Sequence, residues 1–277
     1  KHLETVFGNT AVQTSADVQP MQTHYAFTCG GVDLKVTFTA PLFMEDLKLL
    51  SRPVNYLTYS VAARDGREHE VEVYFEASPR WALDQPYQQS ASKGYEADGL
   101  LYLKSGSKEQ NILAKQGDDL RIDWGYFYMV AGKENTAYSV GNSTELRKNF
   151  VNGTLNSASL EGEDSNGNMA LVRSHGKVKN VTDKIMLGYD DIYSIQYFGT
   201  NLRPYWNSKG DRTIEAEMLA AYNEYDKLLA RCYAFDKKLM EDASAAGGKE
   251  YAELCALAYR QSIAAHKLVE APNGDLL

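Results

Sequence analysis

The chain has 277 residues, 44% apolar and 24% charged, with 29 basic against 37 acidic side chains and a net charge of −8. That balance matches folded globular proteins and excludes disordered, collagen-like and coiled-coil chains. It lacks the clustered basic surface of a nucleic-acid binder, and no apolar run approaches the ~18 residues of a membrane-spanning helix.

Lys1 to Phe7 hold neither a start methionine nor a leader pattern, and Pro272-Asn273-Gly274 turns the chain just before it stops. The expectation is a portion of a longer polypeptide. Cys29, Cys232 and Cys255 form no CxxC pair, and an odd count argues against a closed disulfide framework. Cys232 and Cys255 lie among apolar helical residues, where a thiol acts as a small hydrophobe.

From Gln22 to Phe198 the pattern has period two, the mark of half-buried strands. Val32, Leu34, Val36 and Phe38 alternate with polar residues. So do Leu57, Tyr59 and Val61, then Val71, Val73 and Phe75. Asp65-Gly66 between the last two runs suits a type I′ turn, which predicts a hairpin over 57–75. Further strands are predicted over 100–104, 121–130, 169–174, 184–189 and 194–198. A helical turn is predicted over 44–50 and a Gly/Ser/Asn-rich loop over 152–168. The even spacing points to an antiparallel sandwich and not to βαβ units.

After Tyr205-Trp206 the period changes. Met218, Tyr222, Tyr225, Leu229, Cys232, Phe235 and Leu239 recur in steps of three and four, one stripe of an amphipathic helix. Thr213 is placed to cap it and Gly247-Gly248 to end it. A second helix over 249–269 carries Leu254, Ala258, Ala265 and Leu268 on one side and Tyr251, Cys255, Tyr259 and Ile263 on the other. Apolar on two sides, it expects neighbours on two sides. The fold class is thus mainly β: a large antiparallel sandwich over 1–207, then a helical hairpin over 208–277 belonging to a larger helical body. Unsatisfied apolar surface on that hairpin predicts self-association.

Chemistry is sparse. There is no GxSxG, SxxK, HExxH or phosphate-binding glycine loop. His2, His24, His69, His175 and His266 show no metal-ligand spacing, so neither metal nor cofactor is expected. Four places combine aromatic, acidic or basic groups. Asp123-Trp124 could form a ligand platform, or a strand with Trp124 in the core and Asp123 capping a turn. Asp190-Asp191 could act together on a cation or in acid–base work, although successive strand residues face opposite ways. Otherwise they solvate a strand entry. Arg203 and Trp206, at the switch from β to α, could line a junction pocket or staple the two parts together. Arg260 and His266 interrupt the apolar second helix, and a buried arginine there needs a partner.

Several blocks together resemble the glutaminase A family: VDLKVTFTAPL over 32–42, LLSRPV over 49–54, VEVYFEAS over 71–78, GDDLRIDWGY over 117–126, GYDDIYS over 188–194, LRPYW over 202–206 and LCALAYRQ over 254–261. The resemblance implies an N-terminal β-sandwich and the first helices of an (α/α) toroid, whose remainder would be the chain's partner. It implies relation to hydrolysis of L-glutamine to L-glutamate and ammonia, and a periplasmic or secreted location. No catalytic residue of that family maps onto these blocks. The rival readings are an accessory domain of a glycoside-hydrolase-like protein, for which the 19 tyrosines would serve sugar stacking, and a purely structural interaction domain.

Overall fold

Tyr102-Leu103, Met129-Val130 and Ile185-Met186 are neighbouring residues that are all fully buried. Strand neighbours point to opposite faces, so these strands need apolar cover on both sides. The structure, a computed structural model describing residues 9–118, 121–155, 164–165 and 167–277, supplies that cover as three layers.

The strands are β1 (Val12–Val18), β2 (Gln22–Cys29), β3 (Val32–Thr39), β4 (Val54–Ala63), β5 (His69–Ala77), β6 (Ser90–Ala97) and β7 (Leu100–Ser107). They continue with β8 (Tyr126–Gly132), β9 (Thr136–Gly141), β10 (Asp164–Ser165), β11 (Asn168–Val178), β12 (Asn180–Asp190), β13 (Ile195–Tyr197) and β14 (Thr200–Leu202). The helices are α1 (Leu47–Ser51), α2 (Ser143–Val151), α3 (Ile214–Asn223) and α4 (Tyr225–Ala264). The middle layer is a nine-stranded sheet in the order β1-β2-β3-β4-β12-β8-β7-β6-β10. Its pairings are antiparallel. A three-stranded sheet, β5-β11-β9, covers one face. Leu57, Tyr59, Leu103, Met129 and Ile185 pack there against Ala77, Met169 and Leu171. On the opposite face Tyr56, Tyr102, Val130 and Met186 meet Met218, Ala221, Tyr225, Leu228 and Cys232 of the helices.

Helix α3 approaches β12 very closely. A Cβ at Gly188 would lie 2.2 Å from Met218 Cε and 2.6 Å from the Pro53 carbonyl oxygen. Tyr56 donates its hydroxyl proton to the Ala221 carbonyl at 2.8 Å. Further along, Asp236 of α4, 2% exposed, accepts the Met21 amide at 2.7 Å where β2 begins.

The mainly β reading holds, and so do the Thr213 cap, which accepts the Ala216 amide at 3.2 Å, and the helical turn at 44–50, found as α1. Several elements differ. The runs over 57–75 form no hairpin: β4 pairs with β3 and β12, whereas β5 pairs with β11 in the other sheet. Gly66 has φ +73° but Asp65 has no positive φ. Asp65 instead accepts the Arg67 amide and holds the His69 ring, which turns the chain from one layer to the other. The strand predicted over 121–130 begins only at Tyr126. The first helix breaks at Glu224 into α3 and α4. Gly248 (φ +82°) does interrupt α4, dividing it into arms 225–247 and 249–264. The second arm stops at Ala264, short of 269, because Leu268 and Val269 pair with Tyr205 and Pro204. Within the loop predicted over 152–168, residues 164–165 pair with β6. Residues 156–163 and 166 of that loop lie outside the described residues, as do Lys1 to Phe7. Helix α2 has no counterpart in the sequence reading.

Two outcomes are expected. Gly188→Ala sets a methyl group against the Pro53 carbonyl and the end of Met218 and should cost about 1–3 kcal/mol, the range for overpacked cores, measured by urea unfolding. Burial pushes the Asp236 carboxyl up from 3.8 to about 7, against the pull of the Met21 amide and the Arg260 charge. The native state therefore holds a proton that the unfolded chain releases, and stability falls as pH rises from about 4 to 7. Asp236→Asn should flatten that slope, worth on the order of a few kcal/mol at about 1.4 kcal/mol per unit. Thermal unfolding across pH checks it, and an unchanged slope refutes it.

Candidate functional site

Gly125 decides how the segment before β8 lies. Its φ is +82°, and a Cβ there would stand 2.3 Å from the Asp190 carbonyl oxygen. Only glycine allows this segment to cross the end of β12 at that distance. Trp124 is thereby buried, and its indole N–H donates to the Asp191 carbonyl at 2.8 Å and the Tyr193 carbonyl at 3.0 Å. Tyr189 returns a hydroxyl hydrogen bond to the Trp124 carbonyl. Ile192, one residue beyond Asp191, has φ +61°, a costly conformation for a β-branched residue.

That irregular backbone separates the two acids. Asp190 Oδ1 accepts the Ile192 amide at 3.0 Å, and burial pushes its carboxyl above the usual carboxylate range. Asp191, 2% exposed, accepts the Ser194 hydroxyl at 2.8 Å and pairs with Lys267 Nζ at 3.0 Å through the same oxygen. Asp123, 1% exposed, receives Lys115 at 2.7 Å and Gln88 at 3.0 Å. Arg203 stacks over the Tyr193 ring at 4.5 Å and reaches its hydroxyl at 3.3 Å.

Lys267 arrives because the chain folds back after α4. Tyr205 donates its amide to the Leu268 carbonyl at 2.9 Å, and Pro204 bridges to Val269. Between this return and α1 lies a junction pocket of about 670 Å³. Leu42, Leu50, Trp206, Ile263 and Leu268 give it apolar walls, and Arg52, Asp191, His266 and Lys267 contribute polar groups. An apolar cavity of this size with few convergent polar groups has the character of a ligand site.

Of the residues singled out in the sequence, Asp191, Trp206 and His266 line this pocket. Trp124 holds the Asp191 backbone from behind, Arg203 buttresses Tyr193, and Asp123 and Asp190 are tied into the surrounding loops. Arg260 lies apart, donating to Thr23 Oγ1 at 2.8 Å beside a separate cleft of about 360 Å³. Sequence reasoning missed Arg52, Ser194 and Lys267. Ser194 is close to Asp191 in sequence, but nothing in the chain marks a lysine so far downstream as its partner. Chemically, the Ser194 hydroxyl donates to a carboxylate already paired to an ammonium, an arrangement that fixes the loop.

A family described as "Domain of unknown function (DUF5127)" matches residues 21–242. Glutaminase A of Aspergillus oryzae (strain ATCC 42149 / RIB 40) is 27% identical over 282 residues. That alignment covers 95% of this chain and 40% of the relative's length. Among solved structures, heparan sulfate lyase HepC from Pedobacter heparinus and a mutant of it each align with a TM-score of 0.33 and 5% identity. Each covers 65% of this chain and 21% of the lyase.

Replacing Asp191 by alanine should strip Ser194 and Lys267 of their shared partner and cost about 1.5–3 kcal/mol, the range for hydrogen bonds to a charged group. Urea unfolding measures it. A loss below about 0.5 kcal/mol, as at ordinary surface positions, would show that the ion pair holds nothing together.

Proposed function

The chain belongs to the DUF5127 family, and we propose that it is the non-catalytic N-terminal portion of a glutaminase-like amidohydrolase, packing against a helical catalytic part. The relation to Glutaminase A along 95% of this chain, against 40% of the relative, carries this reading. The junction pocket agrees with it. Amide hydrolysis needs an activated nucleophile or water together with oxyanion donors. The buried acids here are instead engaged in holding loops, Asp123 by Lys115 and Gln88 and Asp191 by Ser194 and Lys267. The sandwich supplies a rigid platform, and the helical hairpin is the element through which the catalytic part would join it.

A second reading, an accessory domain handling a glycan, draws on one observation. Trp81 is 58% exposed, lies tilted against the Phe127 ring at 5.0 Å, and borders the 360 Å³ cleft with Phe38, Asn55 and Arg260. An exposed indole beside amide and guanidinium donors is a surface that sugar rings can use.

Ammonia release from L-glutamine separates the readings. The 277-residue chain alone should release none above blank, and a longer polypeptide that includes the helical part should release it. Ammonia from the chain alone would overturn the non-catalytic assignment. Retention of the chain on immobilised oligosaccharide, lost in Trp81→Ala, would favour the second reading.

A further inference from the structure

The cleft between α1 and the start of α4 plays no part in the junction pocket except through Arg52, which lies in the wall common to both. Its volume is about 230 Å³, below the roughly 300–1,000 Å³ of pockets for organic ligands, so it suits a small ion. Lys48, Arg52, Lys227 and Arg231 line it against two carboxylates, Asp46 and Glu224. Both carboxylates are already engaged. Asp46 accepts the Leu49 amide at 3.1 Å and lies 3.8 Å from Arg231. Glu224 lies 3.1 Å from Arg52 Nη1. Lys48 and Lys227 are exposed and make no ion pair among the described residues. The lining is therefore cationic, in a chain whose net charge is −8.

A second observation identifies what is wanted there. The Arg52 side chain is only 7% exposed, and while Nη1 has Glu224, Nη2 is buried with no hydrogen-bond acceptor among the described residues. Leaving a buried charged donor unmatched is costly. A guanidinium edge matches the oxygens of phosphate- and sulfate-type anions, and ammonium groups add charge from the rim.

We propose that the α1–α4 cleft is a binding site for a phosphate- or sulfate-type oxyanion, with the largely buried Arg52 guanidinium in its wall and Lys48, Lys227 and Arg231 as its charged rim. Occupancy would bring an anionic partner to Arg52 and fix the side chain that separates the cleft from the junction pocket.

Calorimetric titration of inorganic phosphate into the 277-residue chain at constant ionic strength tests this, with sulfate and acetate as comparison ions. Saturable binding of phosphate or sulfate is expected, with acetate weaker by at least about ten-fold, equivalent to 1.4 kcal/mol. Lys48→Ala with Lys227→Ala, both at exposed positions, should weaken phosphate by a similar factor and leave phosphate-free thermal unfolding unchanged. Lys177→Ala with Lys179→Ala makes the same charge change where β11 passes into β12 and should leave phosphate binding as it was. Arg52→Lys, which keeps the charge and loses the fork, should weaken binding as well. No saturable binding into the millimolar range, equal losses in the two lysine pairs, or acetate binding as tightly as phosphate would each overturn the proposal.

Discussion

Burial of the nine-stranded sheet on both faces governs everything else in this protein. Fully burying a large apolar side chain contributes about 1.5–3 kcal/mol. The helix-facing side presents Tyr56, Tyr102, Tyr128, Val130 and Met186, all buried. Stripping the helices from that face would forfeit an amount comparable to the whole stability of an ordinary domain, about 5–15 kcal/mol. The helices come last in the chain, yet they finish a core begun by β4. The fit is tight enough to require glycine at 188, and the Tyr56 hydroxyl shows the same constraint by finding its acceptor on α3.

The junction follows from that docking. Once α3 and α4 lie on the sheet, the chain leaving α4 passes the end of β12, where Pro204 and Tyr205 pair with Val269 and Leu268. Lys267 then meets Asp191. A buried carboxylate needs such a partner, and Lys267, about half exposed, keeps part of its hydration while providing one. Trp124 serves the same loop from below, satisfying two carbonyls that the irregular backbone around Ile192 leaves without strand partners. The acids and aromatics at this corner are thus bound to one another, the arrangement expected where an ordered corner is needed more than a reactive one.

Periodicity revealed strands such as β4, β7 and β12 because the core covers at least one face of each, and it gave no sign of β1, which is exposed along nearly its whole length. It revealed the helical stripe from Met218 to Cys232 for the same reason. It could not reveal partners. Leu57–Val61 and Val71–Phe75 alternate equally well whether they pair with each other or lie in different sheets, and Asp65-Gly66 suits a tight turn locally. The competing pairings with β12 and β11 lie 92 to 134 residues away along the chain, and they decide the matter. The break at Glu224 was invisible because the apolar stripe continues across it. Gly248 was visible because a positive φ leaves a residue-type signature. Trp124 and Asp191 stood out as residue types, but the bond between them rests on a backbone carbonyl, which carries no sequence signature.

The hairpin of α4 divides along its length in a way that bears on what the protein is for. At its root Asp236 holds the Met21 amide, Tyr259 donates to the Leu42 carbonyl and Arg260 reaches Thr23. Toward the turn at Gly248 no such tie to the sheet is found among the described residues, and Tyr251 and Leu254 are 47% and 61% exposed. Phe235, Leu239, Tyr251, Cys255 and Tyr259 border an open apolar groove of about 700 Å³ on this stretch. Local stability follows buried contact, so the root shares the stability of the sheet core while the tip is held mainly by its own helical hydrogen bonds. A helical body docking on the tip would add apolar burial at Leu239, Tyr251 and Cys255, beyond the ties of the root to the sheet.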